Sequence, residues 1–375
     1  MRGGVVFGLL VGCYSPTPHA GAPCPDGVCP TGLVCSPATM TCEISATPKA
    51  DAAVDAEPDA FVPVDANVSL FAYRRRITIV NNSSTTMPTG FSIRVPLGNL
   101  ATLVSQGKVN ADFSDLRVIG DTLGERDRIV DPPSGPAPPA LTFSLASSIA
   151  AGATSSEYAL YYGRPTAPAA PANGNNVFPL FDEFNAGLSS VWLQNDAPSV
   201  SGGKVTLRAN RLDALATNAA TDNVPLVCSL EMITTISDPN SDPTVQPTGT
   251  LYYWFGFQRT GDFQAIDPWS VWIARGKGQL HAEQKSPNGC DPTSCDGPYA
   301  TQDTTPHYYV VERDTGATRF YRDGTLSYTA TVTNTDMSPM LRNFTAASTV
   351  TIDYVRARAR VSPDPTVTVG NEQAL

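Results

Sequence analysis

Histidine is scarce in this chain: His19, His281 and His307 are the only three in 375 residues. So few imidazoles leave little room for a histidine-rich metal site, and no Ser-His-Asp set can be placed from the sequence. Charge is scarce as well. Asp, Glu, Lys and Arg make up 16% of the chain, against about 25% in an average soluble protein. The balance is acidic, with a formal net charge of -10, and the one basic run is Arg74-Arg75-Arg76. That excludes the basic face by which nucleic-acid binders hold phosphates. No run of 18 or more apolar residues follows the N-terminus, so no internal membrane-spanning helix is expected.

What the chain has in quantity is Gly and Pro, 29 and 33 residues, with no collagen-like period. Thr, Ser and Val are also frequent. Many turns, short strands and little helix follow, which is an all-β composition. At roughly 150 residues per domain the length suggests two domains plus extras.

The first residues, MRGGVVFGLLVGC, carry one Arg, an apolar run, then Leu10-Val11-Gly12-Cys13. This segment (1–12) resembles a bacterial lipoprotein signal, although it is shorter than the usual 15–30 residues. The resemblance implies lipidation at Cys13, a membrane partner through that anchor, and a place on the outer membrane or cell surface of a Gram-negative bacterium. Tyr14 follows the Cys, so nothing argues for inner-membrane retention. Residues 13–44 form a Cys-rich stalk in which Cys24, Cys29, Cys35 and Cys42 sit among Pro and Gly. A piece this small cannot build a core, so cross-links must hold it. Two disulfides in one of three connectivities are the natural reading, with zinc as the rival. Residues 45–67 hold Asp51, Asp55, Glu57, Asp59 and Asp65 against Lys49 alone. Such an Asp/Ala/Pro segment is expected to stay extended and disordered, as a spacer.

From Phe71 the pattern becomes alternation: Phe91, Ile93, Val95 and Leu97; Leu141, Phe143 and Leu145; Tyr158, Leu160 and Tyr162. Period two over short runs between turns predicts antiparallel strands with one buried face. One helix is expected, over 100–106. YRRRITIVNNS at 73–83, DFSDLRVIG at 112–120 and TSSEYALYYGRP at 154–165 resemble domain of unknown function 2341. That resemblance covers most of 68–170 and implies a β-sandwich of a secreted or surface protein, with no known activity. Asp112, Asp115 and Arg117 are a candidate patch or, more simply, a turn carboxylate and an ion pair.

A Pro/Ala/Asn bridge (171–176) leads to a second β-domain, 177–375. Leu226, Cys228, Leu230 and Met232 alternate, placing Cys228 inside as an inert thiol. Arg319 to Leu326 reads as a hairpin turning at Asp323-Gly324. Cys290 and Cys295 bracket a polar loop and are candidates for a local disulfide. DEFN at 182–185 and IDYVRAR at 352–358 resemble the two ends of the concanavalin-A-like jelly roll shared by laminin-G-like domains and glycoside hydrolase family 16. The resemblance implies one structural calcium ion held by Glu183 and Asp353, with oxygen ligands suited to that ion. The apolar phase flips between Val350/Ile352 and Val355/Ala357/Ala359, as a bulge near Asp353-Tyr354 would produce.

The hydrolase family works with a Glu-x-Asp-x-(x)-Glu strand, and no such motif occurs here; 263–276 offers only Asp267. Glu283 stands alone on its strand beside His281, which is expected to face solvent. The chain is therefore read as no enzyme. Tyr252, Trp254, Trp269 and Trp272 are candidate ligand-binding rings, since aromatic faces stack on sugars, although core packing competes for each. The reading is a non-catalytic cell-surface lipoprotein whose jelly roll binds a polysaccharide or a surface protein. A structural or adhesive spacer is the alternative, and a glycan-active enzyme of unfamiliar mechanism comes third.

Overall fold

The computed structural model describes residues 24, 29, 33–36, 41–44, 68–195, 197–209, 211–214, 227–237, 251–258, 269–275, 279–285, 297–298, 300–301, 303–331, 337–344 and 349–375. Cys13, the 45–67 spacer, the Cys290/Cys295 pair and the side chain of Tyr252 lie outside these residues. The chain divides into two compact units, 1–60 and 61–375.

In the smaller unit, strands Leu33–Ser36 and Thr41–Ile44 form an antiparallel hairpin in which Cys35 opposes Cys42. These two do not bond to each other. Cys35 pairs with Cys24 and Cys42 with Cys29. Of the three possible connectivities the structure shows Cys24–Cys35 with Cys29–Cys42. A lone two-stranded hairpin is marginal in water, and cross-links to an upstream segment limit the freedom of its unfolded chain.

The larger unit is almost wholly β and holds two antiparallel sandwiches. In the first, one sheet runs Tyr73–Val80, Thr154–Tyr162, Arg117–Gly120 and Gly124–Arg126 side by side. The other is Ser92–Pro96, Ala140–Ser144 and Arg128–Asp131. The alternating apolar positions meet between them: Ile77, Ile93, Val95, Val118, Leu141, Phe143, Tyr158 and Leu160 are buried in one cluster. The one α-helix among the described residues, Leu100–Ser105, caps this core with Leu100 and Leu103.

The family-like motifs of this sandwich act on one another. Asp115 is buried; its Oδ1 accepts from the Asn110 N–H at 2.8 Å and its Oδ2 from the Gly163 N–H at 3.0 Å. Gly163 has φ +83°, and a Cβ there would fall 2.8 Å from the Tyr73 ring. Arg117 pairs with Glu125 at 2.6 Å and donates to the carbonyls of Ser114 and Pro168. Asp112 Oδ1 accepts from the Ser114 N–H at 3.0 Å. The three residues hold turns together, and the plainer of the two readings applies to them.

The last strands depart from the expected boundary. Thr366–Val369 and Gln373–Ala374 pair with Tyr73–Val80, so the C-terminus completes the first sandwich, not the second. Lys108 and the Tyr162 hydroxyl both reach Glu372, at 2.5 and 2.8 Å, and fasten the returning chain. Alternation alone could not show this, because a strand pattern names a buried face and not the sheet it joins.

The second sandwich is a jelly roll: successive chain segments cross between an eight-stranded and a seven-stranded sheet. In the first of these, Val350–Ala359 lies between Lys204–Leu207 and Cys228–Ile236, followed by His307–Arg313, Ala317–Arg322 and Thr325–Thr331. The seven-stranded sheet orders Trp192–Asn195, Arg211–Ala214, Ser338–Asn343, Leu251–Gln258, Trp269–Arg275, Gln279–Lys285 and Ala300–Thr301. Between the sheets lie Leu230, Met232, Tyr253, Phe255, Phe257, Trp272, Tyr309, Phe320 and Leu341. Cys228 is buried and free, its thiol pushed up to about 11 by burial. The hairpin at Asp323-Gly324 has φ +51° and +77°, as a type I′ turn requires. The phase flip is a bulge: Ile233 pairs with Tyr354 and Thr234 with Ile352, leaving Asp353 as the extra residue.

Candidate functional site

Each sheet of the jelly roll has an inner face toward the core and an outer one. On the seven-stranded sheet, Trp272 points inward and is fully buried, its ring edge-on to Tyr309 and Phe320 at 5.3 and 5.9 Å. That is a core position, so the expectation of a ligand-facing ring at Trp272 is corrected. The reason is strand parity: Trp272 shares its face with Ala274 and, across the strands, with Phe255 and Ala282.

Trp254 and Trp269 point the other way. They sit with Val271, Ile273, Met340 and Phe344 in a separate cluster on the outer face. Their rings meet edge-on at 5.0 Å, and Trp254 stacks on Phe344 at 5.7 Å. The Arg342 guanidinium lies 3.9 Å over the Phe344 ring, a favourable cation–π placement. Trp269 Nε1 donates to Glu283 Oε1 at 2.9 Å, and Glu283 Oε2 lies 3.5 Å from His281 Nε2. His281 and Glu283 are two residues apart on one strand and so share this face; they oppose Ile273 and Val271.

The cluster is enclosed. Trp254 and Trp269 are 1% and 7% exposed, and His281 is 0% exposed. His281 therefore differs from the expected solvent-facing residue, and Glu283 is not isolated. The spacing His281-x-Glu283, which places both on one face of a strand, is the signal the sequence carries. A run on one strand does not say what covers it, so the burial was not legible there.

The proposed calcium ligands come together elsewhere. Glu183 and Asp353 line one cleft of about 380 Å³, with Asn185, Gly202, Gly203, Tyr354 and Arg356. Asn185 Nδ2 donates to Glu183 Oε2 at 3.2 Å, and Lys204 Nζ lies 3.2 Å from Asp353. Burial raises the Glu183 carboxyl, as do the Asp353 and Asp182 charges, against the lowering pull of Arg356. Asp182 is already committed: it accepts from the Phe184 N–H at 2.8 Å and from Trp192 Nε1 at 2.8 Å, fixing the turn. The donors left are oxygens only, which suits a hard cation.

The outer face of the eight-stranded sheet is different again, because the first sandwich covers it. Arg356 and Arg358 project from it, opposite Glu231 and Ser229 on the adjoining strand. Arg356 forks onto Asp131 of the first sandwich at 2.9 and 2.8 Å and also reaches Glu231 at 2.9 Å. Arg94 donates to Asp131 at 2.5 Å, and the Tyr308 hydroxyl to Glu231 at 2.8 Å. Burial opposes ionisation of Glu231, but the Arg356 and Arg358 guanidiniums outweigh it and hold the carboxyl well below the usual range.

No family model and no curated protein sequence matches the chain. Solved structures similar to it include a Bacillus licheniformis β-glucanase, 15% identical over 48% of this chain and 98% of that one, with a TM-score of 0.34. The carbohydrate recognition domain of Emp47p is 12% identical over 48% and 93%, with a TM-score of 0.35. The Crh5 transglycosylase in complex with NAG is 15% identical over 48% and 83%, with a TM-score of 0.35.

Proposed function

We propose that the protein is a non-catalytic lipoprotein of the cell surface, lipid-anchored at Cys13, whose jelly roll binds a polysaccharide or another surface macromolecule. The observation that carries this reading is the outer face of the seven-stranded sheet. An outward sheet face is ordinarily polar; here Trp254, Trp269 and Phe344 stand beside Glu283, His281 and Arg342. Aromatic rings with a carboxylate and an imidazole at their edge are the groups that stack on and hydrogen-bond a sugar; here they are covered, so the reading requires the cover to open for a ligand.

The non-catalytic part rests on the carboxylate count. Retaining glycoside hydrolysis needs two carboxyl groups about 5–5.5 Å apart. Among the described side chains of this face, Glu283 is the one carboxylate. A structural spacer is the second reading, favoured by the burial of Trp254 and Trp269 and by the ion network that welds the two sandwiches. In either case Glu183 and Asp353 would hold one structural calcium ion, which would offset their mutual repulsion.

The test is binding of the whole chain to a panel of polysaccharides and peptidoglycan, with calcium and with chelator. Saturable binding lost in Trp269→Ala and in Glu283→Gln is expected. No binding by the folded wild type would leave the spacer. The melting temperature should rise with calcium and lose that rise in Glu183→Gln; identical melts with calcium and chelator would remove the ion from the account.

A further inference from the structure

The arginines at 356, 358 and 360 alternate along strand Val350–Ala359 and just past its end, so all three point toward the first sandwich. Two are well matched. Arg356 has Asp131 and Glu231, and Arg360 has Asp364 at 3.2 and 2.7 Å with Glu312 at 3.4 Å. The middle one is not. Arg358 is 9% exposed, and its nearest carboxylate oxygen, Glu231 Oε1, is 3.5 Å from Nε. Its two Nη atoms have no hydrogen-bond partner among the described residues. The Arg358 side chain keeps 11% exposure, so the guanidinium stays open to what enters the crevice beside it.

Arg358 lines a crevice of about 290 Å³ between the sandwiches, together with Arg94, Ser92, Asp364, Pro96, Pro365 and Val367. Arg94 uses Nη1 on Asp131 and Nη2 on the Pro138 carbonyl, which leaves its charge near the crevice but its fork spent. The free fork is that of Arg358, and a planar guanidinium fork matches a planar carboxylate. Asp364 adds an acceptor for hydroxyl groups. Ser92 donates to the Val177 carbonyl at 2.5 Å and keeps its lone pairs as acceptors. The two prolines and Val367 supply an apolar wall.

We infer that this crevice is a binding site for a hydroxylated carboxylate of the hexuronate class, with Arg358 on the carboxylate and Asp364 and Ser92 on the hydroxyls. The site is separate from the Trp269 face and does not depend on the reading given to that face. Arg358 Nε serves Glu231, and the pairings of the fold leave its two Nη atoms for a ligand.

Titration calorimetry on the whole chain tests it, with glucuronate and galacturonate as probes and glucose and acetate as controls. The expected result is saturable binding of a uronate, weaker binding of acetate and none of glucose. Arg358→Gln should weaken uronate binding by about tenfold or more, the loss of a charged hydrogen-bonded contact. Arg358→Lys should fall between, because it keeps the charge and loses the fork. Asp364→Asn should lower the preference for uronate over acetate, and Trp269→Ala should change nothing. The inference is overturned if the wild type binds no uronate, if glucose binds as well as glucuronate, or if Arg358→Lys and Arg358→Gln bind as the wild type does. Uronate binding that vanishes in Trp269→Ala and persists in both Arg358 variants would place the site on the other face and equally overturn it.

Discussion

The two outer faces of the jelly roll are built on opposite principles. The face of the eight-stranded sheet is ionic: Arg356, Arg358 and Glu231 meet Asp131 and Arg94 across the junction. The face of the seven-stranded sheet is aromatic, with one carboxylate and one imidazole set among Trp254, Trp269 and Phe344. Both are buried, but burial means different things in them. An ionic face under a second domain fixes one orientation, since each charge needs its partner in place. An aromatic face draws most of its stability from the area it buries, with ring geometry adding a smaller part.

Breaking the ionic face should therefore cost most. Asp131→Ala takes the forked partner from Arg356 and the one carboxylate from Arg94, leaving Arg356 with Glu231 alone; breaking one side of a buried pair costs roughly 3–5 kcal/mol. Urea unfolding measures it; a loss below about 1 kcal/mol would mean that water already reaches the junction.

Acid attacks the same face less abruptly, because Glu231 is neutralised and not deleted. Its carboxyl is held below the ordinary value of about 4.3, against burial and by Arg356 and Arg358. Its contribution is then fully present above that ordinary value and is lost as pH falls below it toward the depressed folded value. Melting temperatures followed from pH 7 to pH 3 should fall below about pH 4.5 in the wild type. In Glu231→Gln that part of the fall should be missing, and equal slopes in both proteins would break the assignment.

The aromatic face should respond least. Trp269→Phe keeps most of the ring packing and removes the Nε1 bond to Glu283. A hydrogen bond to a charged group is worth roughly 1.5–3 kcal/mol, so a loss near the lower end is expected from urea unfolding. A loss as large as that of Asp131→Ala would mean that the two faces are not built differently after all.

Much of the fold could be read from residues. The alternation at Phe91, Ile93 and Val95 named strand Ser92–Pro96 and its buried face. The Asp323-Gly324 turn and the bulge at Asp353 were likewise local, one set by left-handed backbone and the other by a flip of apolar phase. Less of the candidate site could be read. Trp254 and Trp272 look alike in the sequence, two aromatic residues on neighbouring strands. They face opposite sides of one sheet because the pairing register sets Trp272 against Phe255 and Ile273 against Trp254. His281 and Glu283 can be seen side by side on one strand, but His281 reads as solvent-facing and Glu283 as alone, whereas both are buried and close to each other.

By itself the sequence determined the all-β class, a cysteine-rich segment ahead of the sandwiches and the parity of most strands. These depend on composition and on spacing within a few residues, where period two and turn chemistry act directly. Only the tertiary structure decided that the C-terminal strand returns to Tyr73–Val80 and that Arg356 meets Asp131 across 225 positions. It alone showed that Arg358 is left over in the crevice between the sandwiches. The physical reason is common to all three. Alternation states which way a side chain points, while the partner it meets is chosen by packing between elements far apart in the chain.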